Sequence, residues 1–233
     1  MKPLKILVDI DDTIENLCEV WVDILNERYN RSVKYEDVTE WDISKFFPGL
    51  TKEQVFEPLH QQDIWNMLSP KEGAMYYLKK LIEDGHDVYL CTSTDYRNVY
   101  YKYVGVIQRL FPCIDWDHVI VIKKKQMLAA DFLIDDAPHN LEGGVYIKIL
   151  MTAPHNKSYD VNGKGIIRCD SWSEIYQAIH NYVGITMPHL HSIDDAVIKV
   201  DDLFGKAERE ITNMIKPEDK GFVRSVMVNP SGK

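Results

Sequence analysis

The sequence predicts an α/β fold: a doubly wound, mainly parallel sheet with a small helical insertion after the first strand. Three features carry this. Short apolar runs end in polar clusters, helical patterns alternate with those runs, and a strand-poor, aromatic-rich stretch follows the first of them. A chain of 233 residues can build one substantial core plus a smaller appended unit.

The first strand is expected over residues 4–9, where Ile6-Leu7-Val8 is bounded by polar residues. A helix should start near Thr13, because Leu17, Val20, Trp21, Ile24 and Leu25 recur at helical spacing. From Asn30 to Pro70 strand signals are few and aromatics many: Tyr35, Trp41, Phe46, Phe47, Phe56 and Trp65. Ser69-Pro70-Lys71-Glu72 reads as a capping box with proline at the first helical position, and Gly85 should close that helix. A second strand is expected over 87–92 and a helix over 95–110. Val119-Ile120-Val121-Ile122, Phe132-Leu133-Ile134 and Val145 to Leu150 supply further strands, and Ser171-Trp172-Ser173-Glu174 opens the last core helix. Beyond residue 183, Val197, Val200, Leu203, Ala207, Ile211 and Ile215 mark an amphipathic helix from Ala196 to Ile215. Docking of that helix on its own core is the simpler expectation, and a homodimer is the alternative.

The chemistry concentrates at strand ends. Asp9, Asp11, Asp12 and Thr13 follow the first apolar run, and crowded carboxylates are unfavourable unless a cation or protons relieve them. Mg²⁺ suits hard oxygen ligands and completes its shell with substrate phosphate. The competing reading is an acidic helix start. A second pair, Asp135-Asp136, ends the run Phe132-Leu133-Ile134, and Val88 to Cys91 runs into Thr92-Ser93. In open α/β sheets ligands lie beyond the carboxyl ends of strands, so these ends can converge on one ion. Lys123-Lys124-Lys125 adds a cation, although three adjacent lysines ordinarily form a solvated run.

Composition narrows the classes. With 27 basic and 36 acidic side chains the formal charge is −9, which argues against a nucleic-acid polymer as partner and leaves room for a small phosphorylated substrate. Four cysteines without C-x-x-C spacing read as reduced thiols, with Cys91 a small core hydrophobe. No stretch has signal or transmembrane length, so a soluble, cytoplasmic protein without membrane contact is expected. The histidines, His155 among them, form no zinc pattern and read as ordinary surface or satisfied side chains.

Taken in order, Asp9-Ile10-Asp11-Asp12-Thr13, Thr92-Ser93, Lys125 and Asp135-Asp136 resemble the four motifs of the haloacid dehalogenase (HAD) superfamily, over residues 4–182. Leu90-Cys91-Thr92-Ser93 and Ala130 to Pro138 look most like the 5′(3′)-deoxyribonucleotidases. The sequence departs from that family at Asp12, where glycine is usual, and at Leu17, where an aromatic often lines the base pocket.

The resemblance implies a Rossmann-like, HAD-like core over 1–15 and 76–183, a helical cap over 16–75, and a C-terminal helical extension and tail over 184–233. It implies a hydrolase: a Mg²⁺-dependent nucleotidase that cleaves (deoxy)ribonucleoside monophosphates through an aspartyl-phosphate. Asp9 would be the nucleophile, and Asp11 would protonate the leaving sugar oxygen and later accept a proton from water. Mg²⁺ would be held by Asp9, the Asp11 carbonyl and Asp136, with Asp135 orienting the surroundings. Which of Asp135 and Asp136 touches the ion stays open. Thr92 and the amides near Ser93 would hold phosphoryl oxygens, Lys125 would offset charge, and Lys102 resembles a further phosphate contact. In the cap, Trp41, Phe46 and Trp65 are candidates for stacking on a nucleobase, against the alternative that they form the cap's own core. A phosphatase of another small metabolite and a non-catalytic binding protein are the alternative functions.

Overall fold

The computed structural model of the protein describes residues 3–186. Six strands form its central sheet: β1 (Lys5–Val8), β2 (Asp87–Thr92), β3 (Val119–Val121), β4 (Phe132–Asp135), β5 (Ile147–Met151) and β6 (Ile166–Cys169). Their order is β3-β2-β1-β4-β5-β6 and every pairing is parallel. Side chains alternate across the sheet as strand geometry requires. Ile6, Val8, Leu90, Phe132, Ile134 and Ile149 enter the larger core, whereas Leu7, Cys91, Leu133 and Leu150 enter a smaller one on the opposite face. The near-continuous apolar strands are therefore covered on both sides, as a doubly wound sheet demands.

The helices are α1 (Leu17–Tyr29), α2 (Lys52–Phe56), α3 (Gln62–Met67), α4 (Ala74–Glu83), α5 (Val99–Lys102), α6 (Pro138–Leu141) and α7 (Trp172–Thr186). Between β1 and α4 lie α1 to α3 and short 3₁₀ turns, without a strand of the sheet. Phe47 and Trp65 from this stretch are buried in the same core as Ile6 and Val8. The described residues up to His180 belong to one compact unit. Residues 187–233, with the amphipathic run Ala196–Ile215, lie outside the described residues. Among the described residues no helix is long and apolar enough to cross a membrane.

Several local expectations need correction. The capping box at Ser69 does not form: α4 begins at Ala74 behind Gly73. Residues 69–71 are instead drawn into extended pairing with the chain after β1. Lys71 N–H donates to the Ile14 carbonyl at 2.9 Å, Ser69 N–H donates to Asn16 Oδ1 at 2.8 Å, and Glu15 bridges Pro70. The first helix starts at Leu17 rather than near Thr13, because Ile14, Glu15 and Asn16 are taken up by this pairing with residues 69–71. The helix expected over 95–110 is divided into a 3₁₀ turn (Tyr96–Asn98), α5 and a π-helical segment (Tyr103–Gln108). Gly105 lets that segment lie against α3, since a Cβ there would fall 2.9 Å from Trp65 Cβ. β5 is shifted two residues from its expected start, and β6, a run of only four residues, was not anticipated.

Two terminators behave as read. Gly85 (φ 86°) ends α4 with its N–H on the Ile82 carbonyl at 2.9 Å and His86 N–H on Leu81 at 3.1 Å. Ser171 Oγ accepts from Glu174 N–H at 3.2 Å and so caps the last helix, although the return bond of the expected box is displaced by one residue, Glu174 accepting from Asp170 N–H at 2.7 Å.

Candidate active site

The carboxyl ends of β2, β1 and β4, adjacent in the sheet, assemble the site. The sheet reverses direction of growth about β1, the switch point at which such folds bind ligands. Asp9 extends β1 by one residue, its N–H donating to the Ile134 carbonyl at 2.9 Å, and is only 5% exposed. Asp135 ends β4, and Asp136 follows it. Ligand oxygens of Asp9, Asp135 and Asp136 all lie within 4.8 Å of one another, although 126 positions separate Asp9 from Asp135.

Lys125 crosses from the turn after β3 into this cluster. Its Nζ donates to Asp9 Oδ1 and, at 2.6 Å, to Asp135 Oδ2. Lys123 and Lys124 are exposed while Lys125 is fully buried, so the run of three is solvated at two positions only. Burial opposes the Lys125 charge, yet Asp9 and Asp135 outweigh it and hold its pKa above the ordinary lysine range. Asp135 is also occupied elsewhere: Oδ1 accepts from Ala137 N–H at 2.8 Å, and Asn140 Nδ2 donates to both oxygens at 3.1 Å. Asp136 differs. Its Oδ1 accepts from the Thr13 hydroxyl at 3.3 Å, and its buried Oδ2 has no hydrogen-bond partner.

A second lysine ties the other motif residues together. Lys102, at the end of α5 and 1% exposed, donates to Asp11 Oδ2 at 2.6 Å and to Thr92 Oγ1 at 3.0 Å. Its Nζ also lies 5.0 Å from the Trp65 ring centroid. The transition from α to π geometry immediately after Lys102 is a feature often found at functional sites.

The electrostatics leave carboxylates in excess. Burial, and then the charges of Asp135, Asp136 and Asp11, push the Asp9 pKa well above the usual carboxylate range against the pull of Lys125. Asp136 is pushed up to about 8 by burial and the neighbouring Asp135. Asp12 rises to about 7 through burial and Asp136, despite its Oδ1 accepting from Cys18 N–H at 3.1 Å. A divalent cation would relieve this repulsion, and the three converging carboxylates fit a hard, oxygen-binding ion.

Next to Asp11 and Asp12 opens a cavity of about 450 Å³ with Ser93 and His155 also in its wall. Leu17, Trp21, Val38, Trp41 and Phe56 supply its apolar lining, so the lining holds both polar and apolar groups. Its size suits a small organic ligand. Of the three aromatics singled out from sequence, Trp41 is 57% exposed and lines this space. Phe46 packs on the core and is not among the lining residues, and Trp65 is buried with its Nε1 donating to the Leu59 carbonyl at 3.1 Å. Trp21 and Phe56 line it without having been singled out. So does His155, which is no ordinary surface histidine: its side chain is 5% exposed beside Asp136. Distances in sequence hid these residues, since nothing marks 155 as a neighbour of 136 before the chain folds.

The sheet order and the residues at its switch point define a haloacid dehalogenase-like protein. Solved structures share the fold. A haloacid dehalogenase-like family hydrolase from Streptococcus pneumoniae aligns over 76% of this chain and 98% of its own at TM-score 0.54 and 13% identity. A HAD family hydrolase from Deinococcus radiodurans, with bound phosphate and sodium, aligns over 77% and 96% at TM-score 0.50 and 15% identity. Within the superfamily, residues 2–184 match the family "5' nucleotidase, deoxy (Pyrimidine), cytosolic type C protein". The chain belongs to that family, and is a phosphoric monoester hydrolase. It is 30% identical to the 5'(3')-deoxyribonucleotidase of Bacillus subtilis over 170 residues, 73% of this chain and 95% of that protein. It is 29% identical to the 5'(3')-deoxyribonucleotidase of Clostridium acetobutylicum over 167 residues, 72% and 89% of the two chains.

Proposed function

We propose that the protein hydrolyses the phosphate ester of (deoxy)ribonucleoside monophosphates, deoxy substrates foremost, through an aspartyl-phosphate on Asp9, with Mg²⁺ as cofactor. The observation that carries this reading is the position of Asp9: buried, paired with Lys125, within 4.8 Å of the other strand-end carboxylates. The names of the bacterial relatives supply the substrate class.

In this reading Asp9 attacks phosphorus and the bond to the sugar oxygen breaks. Asp11, beside Lys102, gives its proton to that oxygen and afterwards takes one from the water that cleaves the acyl-phosphate. Burial alone would keep Asp9 protonated and inert. Lys125 works against that, and a Mg²⁺ ion, which Asp9, the Asp11 carbonyl and Asp136 would hold, would supply further positive charge to favour the ionised nucleophile and offset phosphate repulsion. Asp135, bonded to Lys125, Asn140 and Ala137, holds Lys125 against Asp9. The Thr92 hydroxyl, the Ser93 amide, Lys102 and Lys125 receive the phosphoryl oxygens. Residues 16–75 form the cap, with Trp41 presenting its exposed ring to the nucleobase and the cavity wall excluding water. Action in the cytoplasm follows the family's description as a cytosolic type.

The test is a phosphate-release panel of deoxy- and ribonucleoside monophosphates, sugar phosphates and phosphoglycolate with and without Mg²⁺. Highest kcat/KM for a deoxyribonucleoside monophosphate, lost on chelation, is the expected result. A sugar phosphate or phosphoglycolate turned over best would overturn the substrate class, and no turnover of any ester would overturn the catalytic reading.

A further inference from the structure

His60 ends the 3₁₀ turn Glu57–His60, in the inserted stretch between β1 and α4, and reaches the segment that follows β2. Its Nδ1 lies 3.1 Å from Asn98 Oδ1 and its Nε2 3.2 Å from Arg97 Nη2. Asn98 is only 3% exposed, so its amide oxygen needs a donor. A guanidinium offers donors only, so Nε2 accepts from Arg97 and the single proton of the neutral ring sits on Nδ1, donating to Asn98. Both bonds exist together only while the ring is neutral. Protonation places an N–H on Nε2, facing the guanidinium, and removes the acceptor.

The segment that His60 touches carries the groups assigned to phosphate. Thr92 and Ser93 lead into it, Asp95 caps its 3₁₀ turn by accepting from Arg97 N–H at 3.0 Å, and Lys102 lies at its far end. The inserted turn meets this segment a second time: the Leu59 carbonyl accepts from Trp65 Nε1 at 3.1 Å, and the Trp65 ring centroid lies 5.0 Å from Lys102 Nζ. Leu59 and Ser93 both line the cavity, so the joint adjoins its wall.

The surrounding charges leave His60 as the member that titrates. Against its turn pack α1, α2, α3 and the Tyr96–Asn98 turn. Arg28 of α1 is paired with Glu57, while Lys52 and Glu53 of α2 and Asp63 of α3 are exposed and screened by solvent. Arg97 grips Asp95 at 2.9 and 3.0 Å and holds its carboxyl below the usual carboxylate range. That pair therefore stays ionised over the interval of about pH 5 to 8 in which histidine changes charge.

We propose that His60 is a positioning residue for the phosphate-binding segment, holding Thr92 to Lys102 in its working arrangement only as the neutral ring. The inference rests on the reading that the site hydrolyses a phosphate ester.

The experiment compares full-length wild type with His60→Leu on 2′-deoxyuridine 5′-monophosphate at saturating Mg²⁺, from about pH 5.5 to about pH 8.5. Titration of the substrate phosphate and of the aspartates is common to both proteins and cancels in the ratio of their kcat/KM values. That ratio should be about tenfold at the alkaline end, the scale of two lost hydrogen bonds, and fall below about threefold at the acid end. A ratio that does not change with pH, or that stays near one throughout, would reduce His60 to a packing residue and overturn the inference. Long-range ¹H–¹⁵N correlation spectra of wild type should show the His60 proton on Nδ1 at the alkaline end, and a proton on Nε2 there would overturn it too. Absence of turnover in wild type would sink the hydrolytic reading instead, with the tautomer still testing the tie of His60 to Asn98 and Arg97. Should His60→Leu not fold, the tautomer decides alone.

Discussion

Lys102 Nζ and the Asp11 carboxylate lie 2.6 Å apart across 91 positions of sequence, and the same ammonium bonds Thr92 Oγ1 at 3.0 Å. One buried cation therefore fixes the acid of the first motif against the hydroxyl of the second. Replacing it with methionine keeps the apolar stem over Trp65 and removes the charge. Lys102→Met should lower kcat/KM by about 10²- to 10³-fold, the scale of losing one donor at a developing charge. Steady-state kinetics with a deoxyribonucleoside monophosphate checks this, and a loss under threefold would remove Lys102 from the site.

Asp9→Asn should leave the fold and abolish turnover. The loss expected is at least about 10⁴-fold in kcat, since catalysis by a nucleophile does not survive its removal. Phosphate release and circular dichroism, measured on one preparation, separate lost chemistry from lost structure. Retention of more than a percent of kcat would exclude Asp9 as nucleophile.

Lys125 is fully buried between Asp9 and Asp135. Removing one partner of such a cluster strands the others without compensation, which costs about 3–5 kcal/mol. Lys125→Met should lose stability on that scale in urea denaturation at neutral pH without metal. Lowering the pH, which neutralises the stranded Asp9, should shrink the deficit. A deficit that does not change with pH would contradict the electrostatic cause.

Asp12 combines a left-handed backbone with a buried carboxyl whose pKa is raised from 3.8 to about 7 by burial and by Asp136. A carboxyl with a raised folded pKa favours the fold while protonated. Its contribution is full below about pH 4 and is lost as pH rises through about 7, at about 1.4 kcal/mol per proton per pH unit. The metal-free protein should therefore melt at lower temperature at pH 8 than at pH 5. Asp12→Asn keeps an acceptor for Cys18 N–H and tolerates φ above zero, so its melting temperature should fall less over the same interval. Parallel pH profiles for the two proteins would refute this assignment.

Trp41 and Trp65 should separate cleanly. Trp41→Ala, at the exposed cavity wall, should raise KM about tenfold through loss of stacking worth about 1–3 kcal/mol, with little change in melting temperature. Trp65→Ala, 1% exposed, should cost about 3–5 kcal/mol of stability. Kinetics and thermal melts on both variants check the pair. The reverse pattern would show that the ring facing the substrate had been misidentified.

Much of this site was legible before folding because its chemistry sits where strands stop. Asp9, Thr92 and Asp135-Asp136 each follow an apolar run, and parallel strands bring such ends to one edge of the sheet. Lys125 was chosen over its neighbours by resemblance alone, and burial of that one side chain supports the choice. The aromatics were harder. A tryptophan in a small helical stretch has the same sequence signature whether it fills a core, as Trp65 does, or walls a cavity, as Trp41 does. The false start of α4 at Ser69 has a similar cause. A local capping signal yielded to backbone pairing with Ile14 and Glu15, residues more than fifty positions away.

The sequence by itself determined the alternation of strands and helices, the motif residues and their order, since these depend on side-chain period and on what ends each run. Tertiary structure alone decided that Asp135 is spent on Lys125, Asn140 and Ala137 while Asp136 meets Thr13 and His155. Adjacent aspartates are equivalent in a string of letters. They become different only when successive side chains leave the end of a strand in different directions and meet different neighbours.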